Sequence, residues 1–178
     1  MPRYLKELRR WGATTNLVGS TDSEALGRHV ADSVAAAAGL ASGARVVDLG
    51  SGAGFPGIPL ALSRPDLRVT LVEIRERRIS FLRHVVRTLS IENVRVERAR
   101  IESSPPELYD YALLRAVAPP SRAAELARPW VRPGGEFWIW ASRGADIALE
   151  RLSGSIDLES GGQILRFRVP EVSRGTPR

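Results

Sequence analysis

The residues best suited to chemistry stand in one glycine-rich stretch, Asp48-Leu-Gly-Ser-Gly-Ala-Gly-Phe-Pro-Gly57. Glycines let a chain turn sharply and let backbone N–H groups approach a ligand without interference from a Cβ atom. A carboxylate at the start of such a turn adds a negative charge beside that ligand. The stretch therefore predicts a ligand-binding turn between a strand and a helix.

Two classes of ligand fit the spacing of these glycines. Gly52, Gly54 and Gly57 match the G-x-G-x-x-G pattern of dinucleotide-binding proteins, in which the turn holds a pyrophosphate. Shifted by two residues, Asp48-x-Gly50-x-Gly52-x-Gly54 matches the acid-x-G-x-G-x-G loop of S-adenosylmethionine (SAM) methyltransferases. A glycine-rich turn that binds no ligand is the third interpretation.

Charge favours SAM over a dinucleotide. A carboxylate at Asp48 repels a pyrophosphate, whereas the methionine end of SAM carries an ammonium and a sulfonium that it attracts. Pro59 also removes a backbone donor near the start of the helix that would face a pyrophosphate. We therefore expect SAM to be the cofactor and no metal to be involved.

A second acid follows at the end of the next predicted strand. Glu73 lies 23 residues after Gly50, where a carboxylate can accept hydrogen bonds from both ribose hydroxyls of a bound nucleoside. The alternative is a surface acid that pairs with Arg75 or Arg77.

The elements that must position these residues alternate along the chain. Strands alternating with helices predict an α/β fold with a mostly parallel sheet and helices on both faces. In such sheets ligands bind outside the carboxyl ends of the strands. The predicted strands are 46–49, 69–73, 94–96, 109–114, 136–141 and 163–169, and the predicted helices are 58–63, 75–89 and 121–130.

The first forty residues are predicted to be helical. Tyr4, Leu8 and Trp11 fall at helical spacing, and Thr21 with Glu24 fits a capping box that opens a second helix reaching 39–43. We expect a helical N-terminal extension over 1–43 and a methyltransferase domain over 44–178, forming one compact unit.

Composition excludes several classes of site. The 178 residues contain no cysteine and only two histidines, which excludes disulfides and thiolate metal sites and disfavours a multi-histidine metal centre. The net charge of +6 favours a polyanionic partner. No apolar segment approaches the ~20 residues that span a bilayer. We expect a cytoplasmic monomer without a membrane partner.

Basic residues occur in three clusters that could bind RNA phosphates or simply face solvent. Each cluster is a candidate because arginine suits phosphate recognition. The clusters are Arg3, Lys6, Arg9 and Arg10; Arg75, Arg77, Arg78, Arg83 and Arg87; and Arg95, Arg98 and Arg100.

Further short motifs accompany the glycine-rich stretch. They are Phe55-Pro-Gly-Ile-Pro59, Trp11 with Asn16-Leu17, Arg28-His29 with Asp32-Ser33, Tyr109-Asp110, and Arg115-Ala-Val-Ala118. With these motifs the chain, from about Tyr4 to Gly144, resembles the RsmG (GidB) family of bacterial small-subunit rRNA methyltransferases. Gly12 and Arg143 depart from the family pattern, which has asparagine and lysine there.

The resemblance implies a class I SAM-methyltransferase (Rossmann-like) fold and methyl transfer from SAM to N7 of a guanine in 16S rRNA. The partner would be 16S rRNA or the small ribosomal subunit. The resemblance also implies roles for matching residues. Toward the cofactor, Gly50 and Phe55 would line the SAM pocket, Glu73 would hold the ribose, and Ile101 and Glu102 would flank the adenine. Arg115 would lie between cofactor and guanine, and His29 and Asp32 would support the site. Arg9, Arg10 and Arg143 are candidate RNA contacts.

The predicted chemistry needs no general base, because N7 of guanine carries a lone pair and no proton. Arg115 can donate to guanine O6, to a phosphate or to the SAM carboxylate, whereas donation to N7 would block the attacking lone pair. A structural salt bridge, for example to Asp110, is the alternative role. Other open functions are a SAM-dependent methyltransferase with another substrate, a non-catalytic SAM- or RNA-binding module, and an NAD-dependent oxidoreductase.

Overall fold

The structure is a computed structural model that describes residues 1–12, 17–20, 22–103, 105, 107–145 and 152–171. Asn16 and Thr21 of the sequence motifs lie outside these ranges. No helix within them is long and apolar enough to cross a bilayer. The elements are α1 (Pro2–Gly12), α2 (Ser23–Val34), β1 (Arg45–Leu49), α3 (Gly57–Ser63), β2 (Arg68–Glu73), α4 (Glu76–Leu89), β3 (Val94–Arg98), β4 (Tyr109–Arg115), α5 (Pro120–Ala127), β5 (Val131–Ser142), β6 (Leu152–Asp157) and β7 (Gly162–Arg168).

The strands form one seven-stranded sheet in the order β3-β2-β1-β4-β5-β7-β6. Strands β1 to β5 are parallel, and β7 and β6 add antiparallel partners at one side. The parallel strands therefore end at one edge, where Leu49, Glu73 and Arg115 are the last residues of β1, β2 and β4. Strands β2 and β3 follow on one side of β1, and β4 and β5 follow on its other side. The strand order therefore reverses between β1 and β4, which is the position where α/β sheets bind ligands.

Alternating residues of the strands point to two separate cores. Val46 and Leu71 belong to a core that also contains Tyr4, Leu26 and Leu82. Their neighbours along the strands, Val47 and Val72, belong to a second core with Leu126 of α5. Both faces are covered by helices, as predicted. Side chains of α1 and α2 pack in the first core together with residues of the sheet. The segments before and after residue 43 therefore share one core.

The start and end of α2 differ from the prediction. Asp22 caps the helix, and its side chain accepts a hydrogen bond from Ala25 N at 2.8 Å. The predicted capping box involves Thr21, which lies outside the described residues, and the observed cap is one residue later. The helix ends at Val34, and a short 3-10 helix at Ala37–Gly39 replaces its predicted last turn.

The carboxyl-terminal part of the sheet also departs from the prediction. Strand β5 begins at Val131, five residues before the predicted start at residue 136. Strand β6 was not predicted, because its residues, LSGSID, carry few apolar side chains. It lies at the end of the sheet and pairs only with β7. Helix α5 is shorter than expected, and a 3-10 helix over Arg128–Trp130 follows it.

Helix α1 is joined to the glycine-rich turn by a buried hydrogen bond. The Tyr4 hydroxyl donates to the carbonyl oxygen of Ala53 at 2.8 Å. Burial raises the pKa of Tyr4 well above its ordinary value, so the phenol keeps the proton that it donates. The extension thus stabilises the turn directly.

We expect Tyr4→Phe to lower the free energy of unfolding by about 1–2 kcal/mol, because a buried carbonyl loses its donor. Tyr111→Phe is the matched control, since its hydroxyl only accepts a 3.3 Å hydrogen bond from the exposed amide of Ala41, which water can replace. Urea unfolding followed by circular dichroism measures both. Equal effects of the two substitutions would contradict the role assigned to the Tyr4 hydroxyl.

Candidate active site

The glycine-rich turn folds back against the end of β2. Gly50 N and Ser51 N donate to the carbonyl oxygen of Val72 at 2.9 and 3.0 Å. Gly50, Gly52 and Gly54 adopt φ values of +74°, +57° and +95°, a region that favours glycine. This geometry accounts for the glycine spacing that was recognised in the sequence.

Asp48 is a buried carboxylate with one satisfied oxygen. Its side chain lies at the end of β1, and Oδ2 accepts a hydrogen bond from Gly57 N at 3.0 Å. Oδ1 has no hydrogen-bond partner among the described residues. Burial raises the pKa of Asp48 to about 7, although the Gly57 N–H and the charge of Arg115 oppose the shift. A buried acceptor without a partner is costly, so a ligand that carries positive charge or a donor would compensate it.

Glu73 is buried at the end of β2, which contradicts the alternative of a surface acid. Oε1 accepts hydrogen bonds from the backbone N–H groups of Ile74 and Arg75 at 2.8 and 2.9 Å. Oε2 accepts from Gly52 N at 3.1 Å, and the guanidinium of Arg78 lies 3.5 Å away. The carboxylate is therefore fixed against the glycine-rich turn.

Arg115 ends β4 and is held by helix α2. Nη1 donates to the carbonyl oxygen of His29 at 3.1 Å, and Nη2 donates to Asp32 Oδ2 at 3.1 Å. Asp110, the salt-bridge partner considered from the sequence, instead accepts from Arg132 Nε and Arg45 N. The salt bridge considered for Arg115 is therefore present, but its partner is Asp32 and not Asp110.

The contact between Arg115 and His29 defines the tautomer of the histidine. Arg115 Nη2 lies 2.7 Å from His29 Nδ1. Because a guanidinium can only donate, Nδ1 must accept, and the ring proton is on Nε2. Burial and the adjacent guanidinium both lower the pKa of His29. His29 is thus a neutral ring with an N–H donor.

Phe55 packs at the centre of this group. Its ring centroid is 5.3 Å from that of His29 and 5.5 Å from that of Tyr4. The guanidinium carbon of Arg115 is 6.0 Å from the same centroid. Phe55 therefore connects the glycine-rich turn to both N-terminal helices.

Ile101 lies beside the glycine-rich turn on the loop after β3. A Cβ atom built on Gly50 would be 3.3 Å from Ile101 Cδ1 and 2.9 Å from Val117 Cγ2. The carbonyl oxygen of Ile101 accepts a hydrogen bond from Trp130 Nε1 at 2.9 Å, which holds the loop. Glu102 follows on the same loop and is exposed.

The structure brings together most of the predicted site residues at the carboxyl edge of the sheet. The candidate RNA contacts are exposed. Arg143 is exposed beyond β5 and pairs with Asp157 at 3.2 Å. Arg9 and Arg10 are exposed on α1, and Arg9 donates to Ser23 Oγ at 3.0 Å.

Sequence reasoning missed three residues of the site. Tyr4 was predicted only as part of an apolar stripe, yet it binds the turn. Val117 contacts Gly50, and Ile74 follows Glu73 with 41% of its surface exposed. An apolar residue directly after a strand-end acid is the sequence signal that could have drawn attention to Ile74.

Comparison with known proteins agrees with this geometry. Residues 1–164 match the family model GidB, described as rRNA small subunit methyltransferase G. A relative from Roseiflexus sp. (strain RS-1), named ribosomal RNA small subunit methyltransferase G, is 40% identical over 184 residues, covering 99% of this chain and 78% of the relative.

Solved structures show the fold. An RNA methyltransferase from Salinibacter ruber in complex with S-adenosyl-L-homocysteine aligns with a TM-score of 0.65 and 18% identity, covering 83% of this chain and 94% of the other. A SAM-dependent methyltransferase from Aquifex aeolicus aligns with a TM-score of 0.63 and 19% identity, covering 82% and 93%. The predicted class I SAM-methyltransferase fold is confirmed, and the chain belongs to the GidB family of small-subunit rRNA methyltransferases.

Proposed function

We propose that this protein transfers a methyl group from SAM to N7 of a guanine in 16S rRNA, in the cytoplasm. The observation that carries the proposal is the buried Asp48 carboxylate, whose Oδ1 has no partner among the described residues. It lies on the strand next to Glu73, at the point where the strand order reverses. This pair of acids suits a nucleoside with a cationic side chain.

The same geometry argues against a dinucleotide. Gly57 N, which opens α3, already donates to the Asp48 carboxylate. Pro59 in the same turn has no N–H. A pyrophosphate would meet a carboxylate and few free donors, so the NAD-dependent oxidoreductase is disfavoured.

The residues present fit SAM. Asp48 would hold the cationic methionine end, Glu73 the ribose hydroxyls, and the apolar side chains of Ile74, Ile101 and Val117 the adenine. When bound, SAM supplies an electrophilic methyl group on a sulfonium. Gly50, Gly52 and Gly54 would let the backbone approach it closely.

The chain's own contribution to the transfer is orientation and charge. N7 attacks with a lone pair, so no side chain has to remove a proton. Arg115 is held rigidly by Asp32 and His29, which would fix the donor that orients the guanine through O6. Because its lowered pKa keeps His29 neutral, it adds no second positive charge beside a base that becomes cationic.

The direct test supplies labelled SAM to the protein with deproteinised 16S rRNA and, separately, with small ribosomal subunits. We expect label in one 7-methylguanosine, located by mass spectrometry of nuclease fragments. Label in a different base, or no transfer while SAM binds, would contradict the proposal and favour another substrate or a non-catalytic module.

Glu73→Gln should raise the Kd for SAM about 10- to 100-fold, since a neutral amide replaces a charged acceptor of the ribose hydroxyls. Glu125→Gln is the matched control, because Glu125 is exposed and pairs only with Arg122 on α5. Isothermal titration calorimetry measures both affinities. Unchanged affinity in Glu73→Gln would remove Glu73 from the binding site.

The affinity for SAM should fall as the pH is lowered through about 7, by up to about tenfold per pH unit. Asp48 has a pKa of about 7 in the free protein, so below this pH it must lose a proton before it can face a cation. Asp48→Asn should bind more weakly and lose this dependence. Calorimetry between pH 5.5 and 8.5 measures the SAM affinity of the wild type and of Asp48→Asn. Protonation of SAM itself affects both proteins equally, so it does not affect the comparison. Parallel dependences of affinity on pH in the two proteins would contradict the role of Asp48.

A further inference from the structure

Two of the basic clusters found in the sequence lie on neighbouring helices. Arg3 Nη2 of α1 donates to the carbonyl oxygen of Thr88 at 3.3 Å. Farther along, Glu7 and His84 form a 2.7 Å contact. These contacts pair the start of α1 with the end of α4, so the helices run antiparallel and expose one joint surface.

We call this surface the α1–α4 face and define it by six exposed basic residues. On α1 they follow the spacing i, i+3, i+7, which places them on one side of the helix. On α4, Arg83 and Arg87 stand one turn apart on the same side of the helix, and Arg77 lies two turns before His84. They are Arg3, Lys6 and Arg10 on α1, and Arg77, Arg83 and Arg87 on α4.

These six cations have no acid within ion-pair distance in the described part of the chain, although the charges of Lys6 and Arg10 help to lower the pKa of Glu7. The one acid between the helices, Glu7, is engaged by His84, and this hydrogen bond lowers the pKa of Glu7. In the third basic cluster, by contrast, Arg95 pairs with Glu97 and Arg98 with Glu76. Structural ion pairs therefore account for two of the three arginines in that cluster, but for none of the six residues of the α1–α4 face.

The α1–α4 face adjoins the active site at two points. Helix α1 contacts the glycine-rich turn through Tyr4 and Ala53. Helix α4 begins three residues after Glu73, and its Arg78 lies 3.5 Å from that carboxylate. The eleven residues from Arg77 to Arg87 span about 15 Å of helix, enough to meet several consecutive phosphates.

The chemistry of the face distinguishes RNA from an anionic membrane. Helices that bind membranes insert large apolar side chains between their basic residues. The exposed large apolar side chains in the described part of the chain are Ile74 and Leu108, and neither lies on α1 or α4. A basic surface without large exposed apolar side chains in the described part of the chain fits a phosphate backbone.

We propose that the α1–α4 face binds the phosphate backbone of the RNA strand whose guanine enters the active site. This proposal rests on the proposed function and adds the direction from which the substrate approaches. Binding there is electrostatic, so it weakens with added salt.

The test compares two double variants with equal changes in net charge. Lys6→Glu/Arg87→Glu reverses one charge on each helix of the face. Arg68→Glu/Arg128→Glu is the matched control, since both residues are exposed and lie at the start of β2 and after α5. RNA binding is measured by fluorescence anisotropy at several salt concentrations, with SAM binding and thermal melting as controls for folding.

We expect the face variant to bind a 16S rRNA fragment at least tenfold more weakly, with a shallower dependence on salt, and the control to stay within about threefold of the wild type. SAM affinity should be unchanged in both. In the methylation assay the face variant should raise KM for RNA and leave kcat unchanged. A Lys6→Gln/Arg87→Gln variant provides the same comparison if charge reversal impairs folding.

Equal losses in the face variant and the control would overturn the proposal, because net charge alone would then explain binding. Unchanged RNA affinity of the face variant with active methylation would overturn the face but leave the proposed function intact. RNA binding that depends on the face but is not followed by methylation would contradict the proposed function and leave the α1–α4 face intact as a binding surface. Face-dependent binding to phosphatidylglycerol vesicles without RNA binding would also overturn the proposal.

Discussion

A carboxylate buried at the end of the first strand is the constraint on which the site depends. Asp48 joins β1 to the start of α3 through Gly57 N, and its second oxygen has no partner among the described residues. Ionising such a group inside the protein is costly, which is why burial raises its pKa to about 7. Under the proposed function, a cationic ligand would recover that cost on binding. The unfavourable feature of the free protein would then be the source of selectivity for a sulfonium compound over a diphosphate.

The N-terminal helices complete this site. Helix α1 donates the Tyr4 hydroxyl to the glycine-rich turn, and helix α2 supplies the groups that hold Arg115. Strand β5 adds to the support, because Trp140 Nε1 donates to the carbonyl oxygen of Asp32 at 3.1 Å. The turn, the arginine and the two N-terminal helices are therefore connected by hydrogen bonds, and the boundary drawn at residue 43 from the sequence crosses the candidate site.

Local features of the site could be predicted from the sequence, and long-range ones could not. The turn at Gly50, the strand ending in Glu73 and the break after Ser63 depend on the backbone preferences of neighbouring residues, and the structure contains all three. The partner of Arg115 lies 83 residues away, so no local pattern distinguishes Asp32 from Asp110. Strand β6 escaped prediction for a related reason: its pairing with β7, and not its own composition, makes it a strand.

The tautomer of His29 determines how much positive charge surrounds Arg115. Were the ring charged, it could not accept the hydrogen bond from Arg115, and two cations would face each other in a half-buried space. The arginine therefore keeps the histidine neutral, while Asp32 balances the arginine. The result is a cationic donor of fixed orientation with little excess charge around it. Under the proposed function, such a site would suit a guanine whose N7 becomes positively charged during methylation, because the donor would orient the base while little net positive charge surrounds it.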